Sequence, residues 1–465
     1  MDRKMLSRRS FLSKAALVAG ATTLAACQPK VVKETVVVEK EVEKVVKETV
    51  IIEGTPQVVE KVVKQTVVVE VEKEPVKSQS TGVVNWLGPI VPPYRYEWVT
   101  TVLLDWWKDV NPDLKIEVEQ ASSWGDTEEK VLVRFAGGGG PDLVQTGETG
   151  AVTEFAYRKI YASLNPFLEA DPEIGPELFY VAPMKAGQFQ GETYAMPQDA
   201  ICEAFFYNKA HFEAAGIEEA PATHADVAEY AAALAQLDDV DFGVTMGLSG
   251  WNSFTCYLYS NGGKFMDEEC SRIFLGDETS IETLQFMINQ VESGAAAPHG
   301  ASASINNGKV SMTDSVPWIV GWTKNYAPEI YENLGATIMP RGKGGNTAWG
   351  WAHYESILAN SKNKEGAWEF LSWMLSEEID LPYHDNLNFL PCQPRTYEKE
   401  PFSTHFAWKA FGQQLTKAQT MPLCVAWREI STDAMVPELE AAWIGEKAPA
   451  EALASAAEKA KEILG

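Results

Sequence analysis

From about Val31 to Ser80 the chain is written almost entirely in Val, Glu, Lys and Thr. The unit Val31-Val32-Lys33-Glu34-Thr35 returns at Val45 to Thr49, and as Val62-Val63-Lys64-Gln65-Thr66. Val31, Val38, Val45 and Ile52 recur at heptad spacing, but the second core position of that heptad is Glu, which weakens a coiled coil. Val67, Val69 and Val71 alternate as in a strand, and Gly54-Thr55-Pro56 interrupts either pattern. The tract reads as a spacer, with an oligomerising stalk as the rival. As a flexible coil about fifty residues span roughly 40 Å, and fully extended about 160 Å. Interspersed Lys and Glu restrain aggregation of the Val runs.

What precedes the tract reads as an address. Ser7-Arg8-Arg9-Ser10-Phe11-Leu12 resembles a twin-arginine export signal. The apolar stretch Ala15 to Ala26 is too short to span a bilayer as a helix. Leu24-Ala25-Ala26-Cys27 then resembles a bacterial lipobox, which implies cleavage before Cys27 and lipidation of its thiol. The expected organisation is a signal peptide over 1–26 and a lipidated tether over 27–81. Cys27 aside, Cys202, Cys256, Cys270, Cys392 and Cys424 remain, an odd number with no CxxC pair.

Charge excludes one class of partner. The chain carries a net charge of −26, and beyond Cys27 there are 34 basic against 64 acidic residues. No basic footprint for nucleic acid is visible. The 15 Trp are more informative, because an indole is costly to bury unless both its ring and its N–H find partners.

From Gly82 onward, short strands alternate with amphipathic helices, which implies an α/β architecture. Val83-Val84-Asn85-Trp86 is a strand. Val99, Val102, Leu103, Trp106, Trp107 and Val110 recur at helical spacing until Asn111-Pro112 stops the helix. Leu114, Ile116 and Val118 then alternate as a strand, completing a βαβ unit. The run Gly137 to Gly140 lacks the Lys-Ser or Lys-Thr of a phosphate loop and reads as a turn into a strand at Leu143. Thr223 caps a helix with Asp226 at its third position, and Val227, Tyr230, Ala231 and Leu234 form its stripe. Ala367, Trp368, Phe370, Leu371, Met374 and Leu375 form another, and Trp106, Trp107 and Trp368 are expected in the core.

Several segments carry a resemblance together. They are Gly140-Pro141-Asp142-Leu143-Val144, Tyr194-Ala195-Met196-Pro197, and Phe206-Tyr207-Asn208-Lys209 through Ala215-Gly216-Ile217 to Pro221-Ala222-Thr223. Asn307-Gly308-Lys309-Val310-Ser311-Met312, Pro317-Trp318, Trp349-Gly350-Trp351, Lys364 to Leu371 and Phe389-Leu390-Pro391 follow. In this order they resemble the family-1 extracellular solute-binding proteins, the maltose-binding-like group, over nearly all of Gly82 to Gly465. The resemblance implies a type II periplasmic-binding-protein fold, with two α/β lobes closing on a ligand between them. Lobe 1 would take 82–197 and 354–395, and lobe 2 would take 198–353 and 396–465. It also implies ABC importer permease subunits as partners; with the lipobox-like segment the expected location is extracytoplasmic and membrane-anchored, and no cofactor is expected.

A sugar packs its C–H faces on aromatic rings and offers hydroxyls to carboxylates and amides. By the resemblance, Trp318 and Trp427 stand where similar proteins place stacking rings. Trp349 and Trp351 stand at a lobe crossing, Trp86 ends the first strand, and Asp199 is a hydroxyl acceptor at the first crossing. Glu148 and Thr149 follow the Leu143 strand, where ligand contacts are expected. Maltose binders carry an acid where this chain has Ile201, a departure that argues against maltose itself. Arg95 and Arg341 are the loop candidates for an anion, so a neutral monosaccharide or oligosaccharide is the favoured ligand. Polyamine or peptide binding is the alternative within the fold. A glycan-active enzyme or an adhesin is the alternative outside it, although no HExxH, GxSxG or Walker pattern occurs. Six scattered His form no metal-ligand cluster.

Overall fold

The computed structural model describes residues 35–52, 55–72, 79–88, 93–147, 149–246, 252–299, 301 and 303–465. The expectations for the export signal, Cys27 and Glu148 lie outside them. The chain divides into two compact units, Met1–Gln79 and Ser80–Gly465.

In the first unit the Val-rich tract forms two antiparallel strands, Thr35–Ile52 and Thr55–Glu72. Thr35 lies opposite Glu72, Val38 opposite Val69 and Val45 opposite Val62. The heptad does not form a helix, because β-branched Val at this density favours a pleated strand. The tract therefore returns on itself instead of running out as one extended spacer, and each arm is roughly 60 Å long.

In the second unit ten strands, among the described residues, build two larger sheets. They are β1 (Gly82–Gly88), β2 (Leu114–Gln120), β3 (Leu143–Thr146), β4 (Met196–Cys202) and β5 (Ala204–Asn208). Next come β6 (Phe242–Thr245), β7 (Val310–Ser315), β8 (Leu334–Thr337), β9 (Gly350–Ile357) and β10 (Leu390–Pro391). The larger sheet has the order β10-β4-β9-β3-β1-β2 and the smaller β6-β7-β5-β8. β1 runs parallel to both β2 and β3, as the βαβ pattern requires. β2 alternates buried Leu114 and Ile116 with exposed Lys115 and Glu117, as befits an edge strand with one dry face. Every residue of β4 is buried, as befits a central strand covered on both sides.

The crossover from β1 to β2 is helical in three pieces, Pro93–Trp98, a π segment Val99–Leu103, and Leu104–Val110. Trp107 is buried and donates its indole N–H to the Leu114 carbonyl at 2.9 Å, tying the helix to the strand it feeds. Trp106, expected in the core, is 37% exposed and rests edge-on against Trp98, because its position on the helix turns it outward. Trp368 is buried and stacked on Phe167. Thr223 and Asp226 form the expected capping box on the helix His224–Leu234, which buries Val227, Ala231 and Leu234, with Tyr230 partly covered.

The smaller sheet is dry on both faces. Neighbouring Phe205 and Phe206 of β5 point oppositely, Phe205 into a core with Val244, Met312 and the C-terminal helices, Phe206 into the core of the larger sheet. Only Glu203 separates β4 from β5, so the chain changes sheets there. The expected lobe limits at Pro197/Gln198 and His353/Tyr354 both fall inside strands, β4 and β9, that continue in the larger sheet to Cys202 and back from Gly350. The five cysteines Cys202, Cys256, Cys270, Cys392 and Cys424 are free thiols.

Candidate functional site

Two sheet edges face the same crossing. In the larger sheet the carboxyl end of β3 lies at Thr146, opposite Tyr354, and β4 continues beyond it until Cys202 pairs with Gly350. In the smaller sheet the carboxyl end of β7 is Ser315, paired with Ala204. Cys202 and Ala204 flank Glu203, so both carboxyl edges open toward the joint. Chain order also reverses between β1 and β3, with β2 on the far side of β1. Open α/β sheets bind ligands at the carboxyl ends of strands where the order reverses.

On the first rim stands Trp124, which opens helix α1 (Trp124–Ala136) behind Ser123, the residue capping the Asp126 amide. Its indole lies 4.7 Å from the His353 ring at an interplanar angle of 30°. The turn after β3 passes directly beneath it. A Cβ on Gly147 would sit 2.4 Å from the indole, so glycine is what lets them meet. Helix α2 (Thr149–Tyr157) starts beside this turn, placing the Thr149 backbone at the rim. Sequence reasoning passed over Trp124. A Trp one residue after a Ser cap, just beyond the end of a parallel strand, was the available signal.

Beyond the carboxyl end of β7, Trp318 begins helix α3 (Trp318–Tyr326), with 58% of its surface exposed. Arg428 reaches Glu128 of α1 with both guanidinium nitrogens, at 2.6 and 2.9 Å. Arg428 stands in the helical turn Trp427–Glu429, whose Trp427 packs in the core of Phe205 and Val244, whereas Glu128 belongs to a helix beside the larger sheet. Lys185 and Glu268 make a second, exposed link at 2.8 Å. Along the same seam lies a groove of about 1080 Å³, walled by Tyr157, Lys185 and Phe189 on one side and Lys264, Met266 and Met421 on the other.

Other expected contacts lie deeper. Trp86 is fully buried, edge-on to Phe370, with its N–H given to Glu355 at 3.0 Å, so it does not reach the cleft. Trp427 is buried against Phe265, and Trp349 is buried edge-on to Trp351. Trp351 is partly covered, and its buried indole Nε1 has no acceptor among the described residues. Ile201 is buried in the second core.

Asp199 lies under the first rim, fully buried, and its carboxylate is committed to protein partners. Arg95 Nη2 approaches it at 2.6 Å, His353 Nδ1 at 3.0 Å and His384 Nε2 at 3.5 Å. Burial alone would raise its pKa, but Arg95 and the two imidazoles hold it well below the usual carboxylate range. Burial opposes the charge on His384, yet Asp380 and Asp199 push its pKa up to about 10. Glu355, accepting from Gln145 at 2.7 Å and from Trp86, is pushed by burial up to about 8. Glu203 and Asp314 are both raised by burial, and the thiol of Cys256 donates to Glu203 at 3.0 Å. This layer is a support beneath the cleft rather than its surface. Arg95 is spent within it, and Arg341 lies beside the capping box, where its N–H donates to the Ala222 carbonyl and its carbonyl accepts from the His224 N–H. No group of three metal-binding side chains occurs among the described residues, and no described helix is long and apolar enough to cross a membrane.

These features are those of a two-lobed solute-binding protein of the kind that serves ABC importers. The chain belongs to the bacterial extracellular solute-binding protein family, whose model matches residues 94–380. It is similar to the sn-glycerol-3-phosphate-binding periplasmic protein UgpB of Escherichia coli, at 22% identity over 76% of this chain and 86% of that one. It shares the fold of the sugar-binding protein MalE of Xanthomonas citri, with a TM-score of 0.75 and 20% identity over 82% of this chain and 97% of that one. The GacH receptor of Streptomyces glaucescens, solved unliganded and with acarbose, is similar at a TM-score of 0.71 and 22% identity, over 83% of this chain and 99% of that one.

Proposed function

We propose that the protein is an extracytoplasmic lipoprotein that captures a neutral carbohydrate between its lobes and presents it to the permease of an ABC importer. The supporting observation is that Trp124 lies over the turn leaving β3 and the exposed Trp318 follows the carboxyl end of β7, while the cations nearby are internally neutralised. Arg95 is held by Asp199 and Arg428 by Glu128. A phosphate ester would have to displace one of these carboxylates, whereas a sugar needs only ring faces and acceptors. The relatives named above bind glycerol phosphate in one case and acarbose in another, and the rim chemistry here favours the second kind of ligand.

In this reading Cys27 carries the lipid and 27–81 is the tether. Lobe 1 is built on the larger sheet and lobe 2 on the smaller, with the first crossing at Glu203. Trp318, Trp124, Trp351 and the segment 147–149 contribute ligand contacts, Trp349 and Trp427 back them, and no bond is broken.

A thermal-shift screen of the purified chain from Gly82 onward tests the ligand class. A sugar that binds only the folded state raises the melting temperature with concentration. Stabilisation by sn-glycerol 3-phosphate with none by any sugar would overturn the carbohydrate reading, and release of cleaved product would overturn pure binding. Anchoring is tested separately by palmitate labelling of cells, which a Cys27→Ala variant should abolish.

A further inference from the structure

Helix α3 does not end its aromatic display at Trp318. Trp322 is 49% and Tyr326 is 79% exposed, so three large rings recur every fourth residue along one side of the helix. The other side is anchored: Ile319, Val320 and Thr323 are buried, the first two in the core that runs beneath the sheets. Positions four apart lie one above the next on a helix, about 6 Å along the axis. Between the rings the strip carries Gly321, whose Cβ position is open, and exposed Asn325. Trp322 and Tyr326 meet edge to face at 5.5 Å, so each steadies the other while keeping a face open to solvent.

We infer that this strip is an outer binding surface for oligosaccharide, continuing from Trp318 at the cleft rim and holding the part of a long glycan that projects beyond the lobes. The inference rests on the carbohydrate reading above and extends it, making the ligand a chain of several units. Three observations favour a glycan as occupant. The strip is continuous with a ring on the rim, so a chain stacked on Trp318 and too long for the cleft runs over Trp322 and Tyr326. Its polar content is an amide and no carboxylate or guanidinium, which suits neutral hydroxyls. Its area is a few hundred Å² at most, from three partly covered rings of roughly 200 Å² each, against about 800 Å² per partner in a stable protein interface. A lipid surface is disfavoured by charge, since the chain is strongly acidic and Lys324 is the one cation on the helix.

The test is titration calorimetry with linear oligosaccharides of two and six units, from both the gluco and manno series. The proteins compared are the parent, Trp322→Ala, Tyr326→Ala and Trp322→Phe. In at least one series the six-unit sugar should bind the parent more tightly than the two-unit sugar. Trp322→Ala and Tyr326→Ala should each weaken the long ligand roughly 3- to 10-fold and leave the short one unchanged, with Trp322→Phe restoring most of the loss. Equal affinity for both lengths, or a long-ligand affinity indifferent to all three substitutions, overturns the strip while leaving the cleft reading intact. No binding of either length in either series overturns both. If Trp322→Ala leaves every affinity unchanged but abolishes stimulation of the reconstituted importer, the strip is a permease contact and the inference fails.

Discussion

Glu355 is the most informative single residue to perturb, because its chemistry can be separated from its shape. It is fully buried in β9, accepting from Gln145 Nε2 and Trp86 Nε1. Burial pushes its pKa from 4.5 up to about 8, so the folded protein keeps it protonated at pH values where the unfolded chain has ionised it. Its stabilising contribution is fully present below about pH 4.5 and is lost as pH rises through about 8. Each pH unit in that window costs about 1.4 kcal/mol, a ceiling of about 4 kcal/mol between pH 5 and pH 8. Gln has the same outline and does not titrate. Its amide can keep both contacts if Gln145 turns its own amide, whose Oε1 has no partner among the described residues. Glu355→Gln should therefore differ little from the parent at pH 5 and be more stable at pH 8, by up to roughly 5 °C in melting temperature. Paired thermal melts of the ligand-free proteins at both pH values measure this. A melting difference independent of pH, or a variant losing ground as pH rises, would refute the assignment of a neutral Glu355.

Three further outcomes are expected. Asp199→Asn removes the carboxylate from buried Arg95 and should cost about 3–5 kcal/mol in denaturant unfolding; a loss below about 1 kcal/mol would mean that the network does not hold the rim in place. Gly147→Ala drives a methyl into Trp124 and should destabilise by about 1–3 kcal/mol while altering indole fluorescence, and a silent variant would contradict the close approach. Glu128→Gln weakens the proposed inter-lobe pair with Arg428 and should raise the ligand Kd about 3- to 10-fold by calorimetry, less so in high salt.

Periodicity made the frame of this molecule readable. The first strand, its crossover helix and the alternating strand from Leu114 need only the apolar spacing of their own residues. The Thr223 cap is equally local. Side-chain direction at strand ends was harder to read. Trp86 sits where an outward ring was expected, yet its register turns it toward Phe370 and Glu355, a contact spanning 269 positions in the chain. Asp199 is polar and close to a crossing, which suggested ligand contact. The partners that claim it, Arg95, His353 and His384, come from three distant segments. The lobe limits were expected inside what are continuous strands for a related reason: apolar content does not change where β4 passes the end of its neighbour, so nothing local marks Glu203 as the point where the chain changes sheets. The Val tract was ambiguous because heptad and alternation overlap in it, and β-branching decides between them.

The one-residue connection at Glu203 has a mechanical corollary. Cys202 is laced to Gly350 and Ala204 to Ser315, so the joint has no slack loop to unwind. A swing of one half against the other would fall first on the backbone torsions of Glu203 and then strain the ladder pairs on either side of it. Amide deuterium uptake at these few positions, slowed by a tight-binding guest, would then serve as a strain gauge for the molecule.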